Sequence, residues 1–264
     1  MFKRKTLIVI PSAIILFLFL TGNFLQRIYV PPILMYHYVY HGANPNDRLV
    51  VTPRTLERQM RFLKKYRYNV LPLKELANLI RDKKRIPTRA VAITFDDGFK
   101  NNYTFAFPIL KKYNLPATMF IIVNEVGRPD KMSWEEMKIM RDSGIIDFGS
   151  HALGAEPLIN IKSDSELKRQ VFDSKKILEE KLNKEASMFS YPEGRFNPKI
   201  RQLVIDAGYK GAVATSPGKN FANGDIFALK RLRISSNADN LFVFWFEATG
   251  VYTFLKERRG GHKK

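Results

Sequence analysis

The 264-residue chain contains no cysteine. Disulfide bonds and thiolate metal ligands are therefore excluded, and an oxidising compartment is tolerated without being required. No nucleic-acid-binding motif and no stripe of alternating aromatic and basic residues is present, which argues against a nucleic-acid partner. At this length the chain can bury one substantial core, and barrels of this size commonly form a single domain.

Acidic residues are scarce relative to basic ones. The chain has 25 aspartates and glutamates against 44 lysines and arginines, which gives a formal net charge of +19. Such an excess indicates contact with something anionic, and membrane lipids or wall polymers are the leading candidates. The alternative is that the lysines simply keep the protein soluble.

The amino terminus has the pattern of a membrane segment. Lys3, Arg4 and Lys5 precede an apolar run over 7–25, which is about long enough to cross a bilayer as a helix. Basic residues before such a run stay cytoplasmic, which sends the rest of the chain outward. We therefore predict a single-pass signal-anchor over 1–29, an extracytoplasmic domain over 30–255 and a basic tail over 256–264. A cleaved signal peptide is the alternative, although no A-x-A-like site is evident.

Short apolar runs alternate with amphipathic helical segments from Ile33 to Phe246, which is typical of a parallel sheet covered by helices. Polar residues follow several of the predicted strands: His37 follows one, Asp96 and Asp97 another, and His151 a third. Barrels of this type build their sites at the carboxyl ends of their strands.

The two adjacent aspartates, Asp96 and Asp97, stand at the end of the buried run A-V-A-I-T-F and before Gly98. Two like charges there repel unless a cation lies between them or one of them takes up a proton. The pair therefore indicates a metal site or a proton transfer. A solvated turn, with the glycine at positive φ, is the alternative.

With its neighbours, this string resembles the signature of the polysaccharide deacetylases with a NodB homology domain, carbohydrate esterase family 4. The resemblance implies that Asp96 is the catalytic base and Asp97 a metal ligand. The run I-L-M-Y-H ending at His37 is similar to the family strand whose histidine is the general acid. It stands at the amino end, as in the circularly permuted branch that includes poly-N-acetylglucosamine deacetylases.

A second family motif, H-[S/T]-x-x-H-x-x-L, resembles H-A-L-G-A-E-P-L here. The match implies that His151 is a metal ligand, whereas Ala155 stands where the second histidine belongs. Glu156 is the candidate for the missing third ligand. The alternative is that Glu156 is a solvent-exposed carboxylate of a loop and binds no metal.

The third motif resembles Y-P-E-G-R, which would form a wall of the substrate groove. The resemblance implies that the Tyr191 N–H binds the oxyanion and that Pro192 and Gly194 belong to the groove wall. Arg195, the next residue, is the candidate local cation for the substrate. Glu193 replaces the usual aromatic residue, and Ser190 stands where an arginine is often found. The run L-K-R-L-R-I over 229–234 resembles the strand with the family's arginine motif.

Together, these matches imply a distorted (β/α) barrel of about seven parallel strands. They imply a metal-dependent hydrolase that removes N-acetyl groups from aminosugars of a surface polysaccharide. The cofactor would be a divalent metal, with zinc preferred and cobalt or nickel as alternatives. Ala155 and Glu193 motivate a second hypothesis, a membrane-anchored and catalytically impaired glycan-binding protein on the same fold.

Overall fold

The computed structural model describes residues 31–42, 47–215, 225–250 and 252. The predicted anchor over 1–29 and the basic tail over 256–264 lie outside these residues. Within the described part, no helix is long and apolar enough to cross a membrane.

The protein is built from parallel strands connected by helices. The strands are β1 (Ile33–Tyr36), β2 (Tyr38–Val39), β3 (Val50–Val51), β4 (Asn69–Val70), β5 (Ala90–Phe95), β6 (Ala117–Ile121), β7 (Ile146–Ser150), β8 (Met188–Ser190), β9 (Gly211–Ala214), β10 (Leu229–Lys230) and β11 (Leu232–Arg233). The α-helices are α1 (Pro53–Lys65), α2 (Leu73–Arg81), α3 (Phe107–Tyr113), α4 (Trp134–Asp142), α5 (Asp164–Leu182), α6 (Pro198–Asp206) and α7 (Leu241–Ala248).

The main sheet has the order β10-β9-β8-β7-β6-β5-β1-β11, and β4 adds to the start of β5. Its two edge strands, β10 and β11, are separated in sequence by Arg231 alone. β10 pairs in parallel with β9, and β11 pairs in parallel with β1. Residues 229–233 therefore bring the two edges together and act as the seventh strand of a near-closed barrel. This confirms the predicted parallel architecture of about seven strands.

The strands and helices follow the sequence pattern closely. All six residues of β5 are buried, as expected for a parallel strand covered on both faces. The inward face of α1 consists of Leu56, Met60 and Leu63, all fully buried at helical spacing. Helix α1 begins where the Thr52 side chain accepts a hydrogen bond from the Thr55 N–H.

The connection between β5 and β6 contains an irregular helix. A π-helical segment over Asn102–Ala106 is followed by α3. Pro108 has no N–H, and its ring would meet the carbonyl of Thr104 in a regular α-helix. The wider π turn relieves that clash, and the Phe107 N–H bonds to the Asn102 carbonyl.

Candidate active site

The register of the sheet brings the polar strand ends together. Tyr36 pairs with Phe95 across β1 and β5, so His37 and Asp96 both lie one residue beyond this pair. The Asp96 N–H donates to the Tyr36 carbonyl at 3.0 Å. The His151 N–H donates to the Ile121 carbonyl at 2.8 Å, which fixes the third strand end beside β6. These residues therefore share the carboxyl-terminal edge of the barrel.

After β5 the chain turns sharply through Asp97 and Gly98, which adopt left-handed backbone angles of φ 69° and 66°. A side chain at Gly98 would approach the Ile121 Cδ1 atom to 3.1 Å. The turn separates the two carboxylates. The Asp96 side chain points into the buried interior, whereas the Asp97 side chain is about a quarter exposed, at 24%.

Asp97 and His151 face each other across this edge. The Nε2 atom of His151 lies 3.4 Å from Oδ1 of Asp97, and Nδ1 of His151 lies 2.7 Å from the Ser190 carbonyl oxygen. A carbonyl only accepts, so Nδ1 carries the hydrogen and a neutral ring then directs a lone pair toward the carboxylate. Two facing lone pairs require a cation between them. A proton on Nε2 or a metal ion would satisfy that requirement, and the carbonyl-bonded histidine is typical of a metal ligand.

The donor set of imidazole nitrogen and carboxylate oxygen suits a divalent transition metal. Within the described residues, however, no group of three or more histidine, aspartate or glutamate side chains converges on one point. Ala155 and Glu156 are both exposed. The structure therefore brings Asp97 and His151 together and leaves Glu156 apart from them.

Asp96 is paired with Arg231, which is fully buried at the seam between β10 and β11. Their contact is bidentate, with both nitrogen–oxygen distances at 2.6 Å. Burial alone would raise the pKa of Asp96, but its attraction to Arg231 and to the nearby imidazoles outweighs this effect and lowers the pKa to about 2. Asp96 is therefore a firmly ionised carboxylate held in one orientation.

Arg231 also donates to the hydroxyls of Ser190, at 2.9 Å, and Thr94, at 3.2 Å. Ser190 thus links the two halves of the site, since its carbonyl accepts from His151 and its hydroxyl accepts from Arg231. The sequence pattern predicts the strand but does not single out this arginine. The crowded carboxylates were the available signal, because a buried Asp96 requires a cationic partner.

His37 lies among these charges. Its Nδ1 atom is buried and has no hydrogen-bond partner among the described residues. The pKa of His37 is lowered. Burial is the largest cause, and it outweighs the opposing attraction of the negative charges of Asp96 and Asp97. A buried imidazole nitrogen without a protein partner is available to a substrate or a water.

A buried lysine contacts the backbone of the turn at Asp97 and Gly98. The Lys131 Nζ atom donates to the Asp97 backbone carbonyl at 3.0 Å and lies 2.8 Å from Glu125 Oε2. The Met132 N–H donates to the Gly98 carbonyl at 3.0 Å. No sequence signal points to Lys131, because an isolated loop lysine belongs to no motif.

The third motif requires a correction. The Tyr191 N–H donates to the Val213 carbonyl at 3.1 Å, because the β8–β9 ladder continues one residue past β8. The Tyr191 ring is buried and stacks on Phe196 with ring centroids 4.3 Å apart, and its hydroxyl donates to the Phe227 carbonyl. The predicted oxyanion role is therefore wrong for the Tyr191 N–H, which already has an acceptor.

The rest of this motif forms a tight turn. Pro192 is buried, Glu193 has a left-handed φ of 55°, and Gly194 has a φ of 69°. Arg195 is exposed and lies 3.5 Å from the Glu193 carboxylate. Outside the regular helices and strands, the Glu193 N–H donates to no backbone carbonyl of the described residues.

Comparison with known proteins agrees with this architecture. A profile described as polysaccharide deacetylase matches residues 83–212. YxkH of Bacillus subtilis (strain 168), whose name assigns it provisionally to the polysaccharide deacetylases, is 33% identical over 204 residues, which cover 77% of this chain and 71% of YxkH. The chain belongs to the polysaccharide deacetylase family.

Three further proteins extend the comparison. The poly-beta-1,6-N-acetyl-D-glucosamine N-deacetylase of Staphylococcus aureus (strain MSSA476) is 28% identical over 221 residues, covering 79% of this chain and 76% of that protein. The Streptococcus pyogenes deacetylase PplD, solved in complex with acetate, superposes with a TM-score of 0.75 and 29% identity, covering 82% of this chain and 98% of PplD. IcaB from Ammonifex degensii shares the fold, with a TM-score of 0.73 and 24% identity. The superposition covers 84% of this chain and 97% of the IcaB chain.

Proposed function

We propose that this family member removes N-acetyl groups from aminosugars of a cell-surface polysaccharide. An arginine holds the Asp96 carboxylate in place, and beside it Asp97 faces His151. This arrangement is the observation that carries the proposal. The named activity of the Staphylococcus aureus relative supports an N-acetylglucosamine polymer as the substrate class.

Asp97 and His151 would hold the divalent metal, with zinc preferred. When bound, such a metal polarises an amide carbonyl and lowers the pKa of water. Glu156 could join the ligands only if its exposed loop moved inward, so we propose that solvent supplies the remaining positions.

Asp96 is proposed as the base that takes a proton from the attacking water. A pKa of about 2 makes it a weak base, but it is always ionised, and Arg231 fixes its orientation. His37 is proposed as the acid that protonates the departing sugar nitrogen, because its Nδ1 has no protein partner among the described residues. The Glu193 N–H replaces that of Tyr191 as the proposed oxyanion donor.

Pro192, Gly194 and Arg195 are proposed to form the adjoining groove wall. The predicted anchor over 1–29 would tether the protein to a membrane, with the barrel on the extracytoplasmic side.

The test is acetate release by the full chain from a β-1,6-linked N-acetylglucosamine oligomer, after chelation and readdition of zinc, cobalt or nickel. We expect acetate release to depend on added metal and to fall at least about a hundredfold in Asp96→Asn. Metal binding in Asp96→Asn should be nearly unchanged, since Asp97 and His151 are intact. If Asp96→Asn retains most of its activity, the assignment of the base is wrong.

The exposed Ala155 and Glu156 favour a second candidate, a glycan-binding protein without catalysis. It predicts that the wild-type chain binds the oligomer but releases no acetate with any of the three metals.

A further inference from the structure

A groove of about 700 Å³ lies on the outer side of the barrel between α1 and α7. The wall of the groove contains four charged side chains, and all four are cations: Arg58, Arg61, Lys65 and Arg89. Arg58 forms an ion pair with Asp239 at 3.0 Å. Within the described residues, the other three cations form no ion pair with a carboxylate. Three of the four cations of the groove, Arg61, Lys65 and Arg89, therefore lack a carboxylate partner among the described residues.

The same walls carry aromatic rings. Phe62 and Tyr66 lie on the α1 side with ring centroids 4.5 Å apart, and Phe242 and Trp245 lie on α7 with ring centroids 5.4 Å apart. Phe242 is 70% exposed, Tyr66 46% and Trp245 41%. Large exposed aromatic side chains are unfavourable in water, and a cluster of them around a concave surface is typical of a ligand site.

The groove is separate from the candidate active site. Arg89 immediately precedes β5, whereas Asp96 immediately follows it. At about 3.3 Å per residue, the strand separates the two residues by roughly 20 Å. A ligand in the groove therefore does not contact the carboxylates, and any role for the groove is additional to the proposed deacetylation.

We propose that this groove binds a segment of an anionic polysaccharide, whose sugar rings carry carboxylate or phosphate groups. Guanidinium and ammonium groups recognise those anions, and aromatic faces pack against the apolar faces of sugar rings. The chain's own basic tail is unsuited to the groove, because residues 256–264 contain five lysines and arginines and one glutamate. A concave wall favours an inserted polymer segment over the flat surface of a bilayer.

The test uses the full chain in a neutral polyoxyethylene detergent, with hexagalacturonate as the anionic glycan and maltohexaose as its uncharged counterpart of equal length. Neither probe carries an N-acetyl group, so their binding is independent of the proposed reaction. The chain has two tryptophans, and Trp245 provides a fluorescence signal in the groove. We expect hexagalacturonate to bind at least about tenfold more tightly than maltohexaose and to shift the Trp245 emission, a shift that Trp245→Phe abolishes.

The variant pair Arg61→Gln with Lys65→Gln should weaken hexagalacturonate binding by about tenfold or more. The matched control pair is Arg169→Gln with Lys176→Gln, two exposed cations of α5 outside the groove that give the same change in net charge. The control should change the affinity by less than about twofold, and all of these exposed substitutions should leave the unfolding temperature nearly unchanged.

Three results would overturn the proposal. Equal losses in both variant pairs would mean that the glycan responds only to the total charge of the protein. Equally tight binding of tripolyphosphate would mean that the sugars contribute nothing. A Trp245 shift in micelles containing phosphatidylglycerol, together with loss of glycan binding, would assign the groove to lipid headgroups.

Discussion

Lys131 donates a hydrogen bond to the backbone carbonyl of Asp97, at 3.0 Å, from a position that is almost fully buried. The same ammonium group lies 3.9 Å above the centre of the Phe99 ring and 2.8 Å from Glu125. Asp97 has a left-handed φ of 69°, which an L-residue adopts only when its surroundings hold it there. Lys131 is therefore a positioning residue for the proposed metal ligand, although the two residues are 34 positions apart.

Lys131→Met should weaken metal binding by about tenfold or more, because loss of a residue that orients a metal ligand typically has that effect. The measurement is the dissociation constant for zinc, by calorimetry on the purified full chain. Lys131→Arg, which can still donate, should recover part of the affinity. Lys100→Met is the control, since Lys100 is an exposed lysine on the same turn. If both methionine variants bind zinc like the wild type, the positioning role is wrong.

The pair formed by Asp96 and Arg231 makes the folded protein sensitive to acid. The pKa of Asp96 is lowered in the folded state from 3.8 to about 2, so its stabilising contribution is present above pH 4 and is lost as the pH falls toward 2. We expect this loss to be about 2 kcal/mol in the free energy of unfolding. Urea unfolding of the metal-free protein between pH 5 and pH 2 would measure it. Asp96→Asn should show a correspondingly shallower pH dependence, and an identical slope would contradict the assignment.

Gly194 is required by the turn of the third motif. A Cβ there would lie 2.0 Å from the Thr215 Oγ1 atom and 2.3 Å from its backbone nitrogen, and φ is 69°. We expect Gly194→Ala to lower the free energy of unfolding by about 3 kcal/mol or more, because backbone has to move.

Gly208→Ala is the matched control for Gly194→Ala. Its φ is 79°, but a Cβ there meets nothing within 4 Å. It should therefore cost only the conformational strain of about 1 kcal/mol. Similar losses for the two variants in denaturant unfolding would show that the contact with Thr215 relaxes freely.

Glu156→Ala should leave the metal content of the protein unchanged, since Glu156 is exposed and, among the described residues, joins no group of three possible ligands. Ala155→His should raise the affinity for zinc, because it restores the histidine of the family motif four residues after His151. Metal analysis of the purified variants, followed by zinc titration, tests both expectations. Metal lost in Glu156→Ala would instead establish Glu156 as a ligand.

The sequence determined the local features of this protein. Buried β-branched runs fixed the strands, capping residues fixed the starts of helices such as α1, and polar strand ends identified His37, Asp96, Asp97 and His151 as one candidate site. These signals are local, because they depend on residues a few positions apart. Parallel strands then bring the carboxyl ends to a common edge, so the convergence of these residues could be predicted from the sequence.

Only the tertiary structure decided which distant residues complete that site. Arg231 reaches Asp96 across 135 positions, because the last strand joins the two edges of the sheet. The Tyr191 N–H is unavailable because Val213, on the neighbouring strand, accepts its hydrogen bond. Such contacts depend on strand register, barrel closure and burial, which are properties of the whole fold and have no signature in any short stretch of sequence.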